Sequence, residues 1–227
     1  MKSIIAFVAV GIIILGIASC KEKSKSNIDV SEVEKSFDDF NKRKIYVKLD
    51  SSTLVSIPDD KLEQAVIDFI TSKFNKDFSN EYEIVTSLSP GLKAVYSTWI
   101  LEAEVNNGGF NQFYWNSSGR FAKEAEDGLF LIGALSFLKL MKEANKIYEQ
   151  EKPRMQEFKD KGTIEAFSES YKETKLNELD DKFYKLTENL SALRIKYIRL
   201  HPEDFMSDVA NKNESQQVNP ARDKPPR

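Results

Sequence analysis

Between residues 29 and 206 the apolar side chains recur three and four positions apart, and a chain patterned in that way buries them on helix faces. Val30, Val33, Phe37 and Phe40 open the series beside a capping-box pair, Ser31 and Glu34. Pro58-Asp59-Asp60 starts the next helix, with two carboxylates at its positive end and Leu62, Val66, Phe69, Ile70 and Phe74 along one face. Ser89-Pro90 repeats that signal ahead of Leu92, Val95, Tyr96, Trp99 and Ala103. The stripe is predicted to stop at Asn106-Asn107-Gly108-Gly109, where one residue must turn left-handed and glycine does so without a steric penalty. A second stop, Asn116-Ser117-Ser118-Gly119, follows Phe110 to Trp115.

The period resumes at Phe121, Ala125, Leu129 and Ile132, with a break or kink predicted around Gly133, and runs through Leu135, Leu138, Met141 and Ala144 until Pro153 closes it. A shorter helix carries Ile164, Phe167 and Tyr171. The last is predicted to run unbroken from an Asp180 cap, stapled by Leu179 and Phe183, through Leu186, Leu190, Leu193, Tyr197 and Leu200 to His201-Pro202. Phe205 and Met206 are expected to fold back onto the core. Ile45-Tyr46-Val47-Lys48-Leu49 alternates too briefly to choose between a strand and an extended connector. With no repeat and no shift of composition, the expectation is one all-α domain over residues 29–206, a multi-helix bundle around Trp99, the aromatics of 110–115 and the last helix. A chain of 227 residues buries roughly 70% of its unfolded surface and needs neither disulfide nor metal to make a core.

The ends of the chain have a different character. Met1-Lys2-Ser3 precedes an uncharged run from Ile4 to Ile17, too short for a membrane span of about 20 residues but suited to the core of a signal peptide. Ile17-Ala18-Ser19-Cys20 then resembles the lipobox of bacterial lipoproteins. That resemblance implies removal of residues 1–19, acylation of Cys20, and a lipid-anchored, extracytoplasmic place in the bacterial envelope. Three acyl chains exceed the two signals that stable anchoring requires. Residues 20–28, rich in Lys and Ser, read as the lipidated Cys and a tether, and the polar stretch 207–227 as a disordered tail.

Glu102 to Gly119, with Asn106, Asn107, Gly108, Gly109, Phe110, Asn111, Gln112, Phe113, Tyr114, Trp115 and Asn116 at its centre, resembles the signature of a helical family founded on a bacterial DNA-mimic protein. Further matches follow in order: Leu131 to Ala134, Leu176 to Asp180 before Phe183-Tyr184, and Tyr197-Ile198 before Pro202 to Phe205. Together they cover about residues 85–206. The resemblance implies an all-α domain from a family largely of unknown function, and its founder's dimerisation makes a homodimer one candidate state. Duplex mimicry is not expected of this chain. A DNA mimic needs an unbalanced carboxylate array, whereas 33 Lys and Arg are interspersed among 36 Asp and Glu here. That balance also gives no bulk attraction to nucleic acid.

Chemistry is narrowed by what is scarce. With one His and one Cys, the Cys committed to lipid, there is no Cys/His zinc set and no Cys–His pair, so neither metal nor cofactor is expected. Gly108-Gly109 lacks the strand and the Lys of a phosphate-binding loop. The first reading is a membrane-anchored, non-enzymatic interaction module whose partners are the bilayer, through Cys20, and another protein. Glu102, Asn106, Asn107, Asn111, Gln112, Tyr114, Trp115 and Asn116 are its candidate binding residues, while Gly108 and Gly109 form a structural turn. In an alternative, the same amides fix the loop backbone. A second reading is a carboxylate enzyme acting on glycans through Glu102 or Glu104, which sit two apart and therefore project to different helix sides.

Overall fold

The computed structural model describes residues 30–206. The expected leader, Cys20, the tether and the tail lie outside the described residues, which contain ten α-helices, two 3-10 turns and no strand. The protein is an all-α multi-helix bundle, as the periodicity predicts.

The helices are α1 (Val30–Asn41), α2 (Ser51–Ser56), α3 (Asp59–Thr71), α4 (Glu81–Ser87), α5 (Pro90–Trp115), α6 (Ala122–Leu131), α7 (Leu135–Lys161), α8 (Ile164–Ser170), α9 (Asn177–Tyr184) and α10 (Leu190–Leu200). The 3-10 turns are Ser117–Phe121 and Pro202–Phe205. Helix α5 is the axle, packed against α3, α4, α6, α7, α9 and α10. Its expected single stripe is therefore too narrow. Ala94, Ile100, Leu101 and Val105 are buried as well, because a helix enclosed by neighbours must be apolar all round. The hydroxyls on α5 stay satisfied: Thr98 Oγ1 donates to the Ala94 carbonyl at 2.7 Å and Ser97 Oγ to the Glu124 carbonyl at 2.9 Å. Helix α6 approaches α5 almost backbone to backbone, since a Cβ on Gly128 would lie 3.0 Å from Ala94 Cα.

Several expected boundaries move for local reasons. Residues 44–49 form an extended connector with no strand partner among the described residues, and Leu49 at its end is buried. Asp50 then caps α2, accepting from Thr53 N at 2.8 Å. Pro153 does not close a helix. It lies inside α7 on an exposed face, so the carbonyl deprived of its N–H donor is on the solvent side, and the helix instead ends at Gly162 with φ +66°. The last helix is not continuous either. Between α9 and α10 the chain leaves helical geometry so that the Glu188 carboxylate accepts from Ser136 N and Oγ in the first turn of α7, at 3.2 and 2.9 Å. Asn189 then caps α10 through Ala192 N at 2.8 Å. Leu135 and Ile164, expected on buried faces, are exposed.

Phe205 folds back to full burial as expected, and Ser89, instead of capping α5, donates to the Asp204 carbonyl beneath it. Helix α1 has no buried residue; Val33, Phe37 and Phe40 are half-buried. Two residues beyond its end, Arg43 reaches α3 through a bidentate pair with Asp68 at 2.6 and 2.8 Å. Among the described residues the most enclosed cation is Arg194 of α10, 1% exposed. It joins three helices by donating from Nε to Glu63 of α3 and from Nη2 to Glu102 of α5.

Removing Arg194 takes the cation from two partly buried carboxylates, Glu63 and Glu102, 17% and 30% exposed. Water at those carboxylates brings the cost below the roughly 3 to 5 kcal/mol of a fully buried pair. Arg194→Met is therefore expected to lower the urea midpoint with an unchanged slope, and Glu63→Gln with Glu102→Gln in the same chain to recover part of the loss. A wild-type midpoint for Arg194→Met would contradict this role.

Candidate functional site

The signature segment folds as a helix that breaks and restarts within α5. Gly108 lies at φ −163°, ψ 31° and Gly109 at φ 72°, ψ −179°. The second pair falls in a region open essentially to glycine alone. Space imposes the same choice, because a Cβ on Gly109 would lie 2.2 Å from Asp180 Oδ2.

Breaking the helix frees peptide groups that its own ladder would have paired, and the neighbouring helices supply partners. The Tyr184 hydroxyl of α9 donates to the Val105 carbonyl at 2.7 Å, and the Tyr171 hydroxyl donates to the Gly108 carbonyl at 2.6 Å. Phe110 N–H, at the start of the restarted helix, donates to Asp180 Oδ1 at 2.8 Å. Asp180 thus caps, but it caps the second half of α5 from a distance of 70 residues along the chain, not the last helix.

Glu104, 4% exposed, ties the two halves together. Its Oε2 accepts from Gln112 Nε2 at 2.7 Å and Asn116 Nδ2 at 2.9 Å, and its Oε1 accepts from Ser118 Oγ at 2.7 Å. Those three donors come from beyond the break, so the carboxylate holds the restarted helix and the following turn against the first half of α5.

The other expected binding residues are placed as follows. Asn111 is fully buried and donates to Ser170 Oγ of α8 at 2.8 Å. Tyr114 is buried too; its hydroxyl donates to Asn145 Oδ1 at 2.6 Å and its ring stacks on Tyr148 at 4.1 Å. Trp115 is partly buried against Phe167, 4.9 Å between ring centres. Glu102 is held by Arg194, on a different side from Glu104, as their spacing predicts. Asn106 and Asn107 are exposed on the outer side of the break, beside exposed Tyr184. A small recess between α7 and α8 is lined by Met155, Phe158, Ser170 and Thr174, with an Arg154–Glu173 ion pair among its walls.

Electrostatics follow burial. Asp180 loses water and gains one backbone donor in return, so burial pushes its carboxyl up from 3.8 to about 6, with Asp181 adding to the rise. Burial likewise raises the Tyr171 hydroxyl to about 12. Sequence reasoning did not single out Glu81 of α4, which is 3% exposed. Burial raises its pKa, opposed by a 2.5 Å hydrogen bond from Tyr96 and by Arg120 at 3.6 Å. Among the described residues no group of three His, Cys, Asp or Glu is arranged to hold a metal ion.

A carboxyl whose folded pKa is raised favours the folded chain when protonated. That contribution is fully present below about pH 3.8 and is lost as pH rises through about 6. Asp180→Asn keeps an acceptor for Phe110 N–H without the charge, so its stability relative to wild type is expected to improve between pH 4 and 7. Asp180→Ala leaves the N–H unpaired and should cost about 1 to 3 kcal/mol at the acid end of that window, the difference shrinking as pH rises because the wild type loses its own contribution. A pH-independent difference between wild type and Asp180→Asn in paired thermal melts would contradict the assignment. Glu104→Ala strands three donors and is expected to lower the melting temperature more than Gln112→Ala does; the reverse order would remove Glu104 from the centre of the network.

A family model described as DMP19-like protein matches residues 86–201, a span that holds the break and all of its clamps. No curated protein and no solved structure matches the chain.

Proposed function

The chain belongs to the DMP19-like protein family, and we propose that it works as a lipid-anchored, non-enzymatic protein-binding domain on the extracytoplasmic side of the bacterial envelope. The address rests on residues 1–20: a short basic start, an apolar run and Ile17-Ala18-Ser19-Cys20. Among the described residues no helix is long and apolar enough to cross a membrane.

The observation that carries the binding reading is an apolar corner. Phe130, Leu131 and Leu135, at the α6–α7 turn, are 67%, 37% and 60% exposed. Large apolar side chains grouped on a surface mark contact sites for other macromolecules. The exposed amides of Asn106 and Asn107, with Tyr184, offer a second, polar face.

The enzymatic alternative weakens at both of its residues. A general acid or base must come within hydrogen-bond reach of its substrate. Glu104 is enclosed with three donors already on it, and Glu102 is paired with Arg194. Duplex mimicry finds no support in charge, since residues 86–201 carry 17 acidic and 17 basic side chains.

Metabolic palmitate is expected to label the wild type and spare Cys20→Ala; equal labelling would end the anchoring claim. A photo-crosslinking side chain at Leu135 is expected to give a discrete protein adduct in intact cells. Its absence, with the domain folded and anchored, would contradict the binding reading.

A further inference from the structure

The connector between α1 and α2 carries four cations and no carboxylate over residues 41–49, Asn-Lys-Arg-Lys-Ile-Tyr-Val-Lys-Leu. Its apolar members divide between two sides. Leu49 is buried in the core, whereas Val47 is 85% exposed and Ile45 45% exposed. Arg43 fixes the segment to α3 through Asp68, leaving Lys42, Lys44 and Lys48 exposed around those two side chains. Lys42 pairs with Asp38, but both partners lie in solvent, where such a pair contributes little and readily exchanges for another anion. Val and Ile flanked by Lys suit the boundary between headgroups and acyl chains, with the lysine stems lying along apolar surface and the ammonium groups among phosphates.

We propose that Lys42–Lys48 seats the domain on an anionic phospholipid bilayer, a second contact that rests on the anchoring of Cys20 and gives the anchored domain a fixed orientation. The length of chain outside the described residues supports this occupant. Nine residues, 21–29, separate Cys20 from α1 and extend at most about 30 Å. Helix α1 adds about 18 Å, so the connector stays within reach of the membrane that holds the lipid. Tethering also makes docking intramolecular, at an effective concentration in the millimolar range, so a surface too weak to hold a free protein suffices here. Charge chooses the connector over α1 itself, whose Glu32, Glu34, Asp38 and Asp39 an anionic surface repels. Each Lys near such a surface is worth about a fivefold gain in partitioning.

The acylated mature chain is well suited to the test, because Cys20 is its only thiol and lipid occupies it, so Val47→Cys takes a single fluorescent probe. In vesicles of brominated phosphatidylcholine with phosphatidylglycerol, the probe at Val47 is expected to be quenched several-fold more than one at Ile164→Cys, a site 79% exposed on α8. Lys42→Glu, Lys44→Glu and Lys48→Glu combined should abolish that difference, as should high salt. Equal quenching at the two sites, or quenching that phosphatidylglycerol and the charge reversals leave unchanged, would overturn the docking. Mass analysis of the Cys20 peptide separates the two claims. A chain without acyl groups would defeat the anchoring, whereas an acylated chain with an indifferent Val47 probe would defeat the docking alone.

Discussion

A helix that breaks at the edge of a packed core releases peptide groups that its own ladder no longer pairs, and the arrangement around α5 follows from pairing them. Tyr171 and Tyr184 cover two carbonyls, Asp180 takes the freed Phe110 N–H, and Glu104 gathers Gln112, Asn116 and Ser118. An unpaired buried peptide group costs about 1 to 3 kcal/mol, on a total stability of about 5 to 15 kcal/mol, so these bonds set where the neighbouring helices lie. Tyr171 follows α8, while Asp180 and Tyr184 belong to α9; both segments are brought to the stretch of α5 from Val105 to Phe110. The carboxylates have structural work that explains their burial without invoking a reaction.

Much of this was legible in the residues. The Gly-Gly stop, the turn after Trp115, the helix starts at Pro58 and Ser89, and the all-α class all follow from local chemistry that a short window contains. The partner of the break was not, because Asp180 stands 70 residues from Phe110 and looks locally like an ordinary N-cap. Spacing of three and four also persisted by coincidence across Lys185–Asn189, hiding the loop that puts Glu188 on α7. Helices α2 and α4, of 6 and 7 residues, are too short to show a period. Pro153 misled because a proline on a solvent face leaves its orphan carbonyl on the solvent side, and Arg194 stood unremarked beside the apolar stripe of α10.

For the candidate binding set, residue type alone could not separate amides that recognise a ligand from amides that secure a turn. Burial separates them: Asn111, Gln112 and Asn116 bond within the fold, while Asn106 and Asn107 face outward. The signature therefore describes chiefly how α5 is broken and clamped. Recognition is better sought on the outside of the bundle, at the Phe130–Leu135 corner and around Asn106, and the bilayer contact we propose at Lys42–Lys48 would determine which way those faces point.

The most direct measurement of the clamp is hydrogen exchange at the Phe110 amide, the N–H that an uninterrupted α5 would have given to its own ladder. If Asp180 holds it, that amide exchanges in wild type as slowly as the core amides of α5 and becomes selectively fast in Asp180→Ala, while amides before the break keep their protection. Fast exchange at Phe110 in the wild type, or protection that Asp180→Ala leaves untouched, would contradict the account.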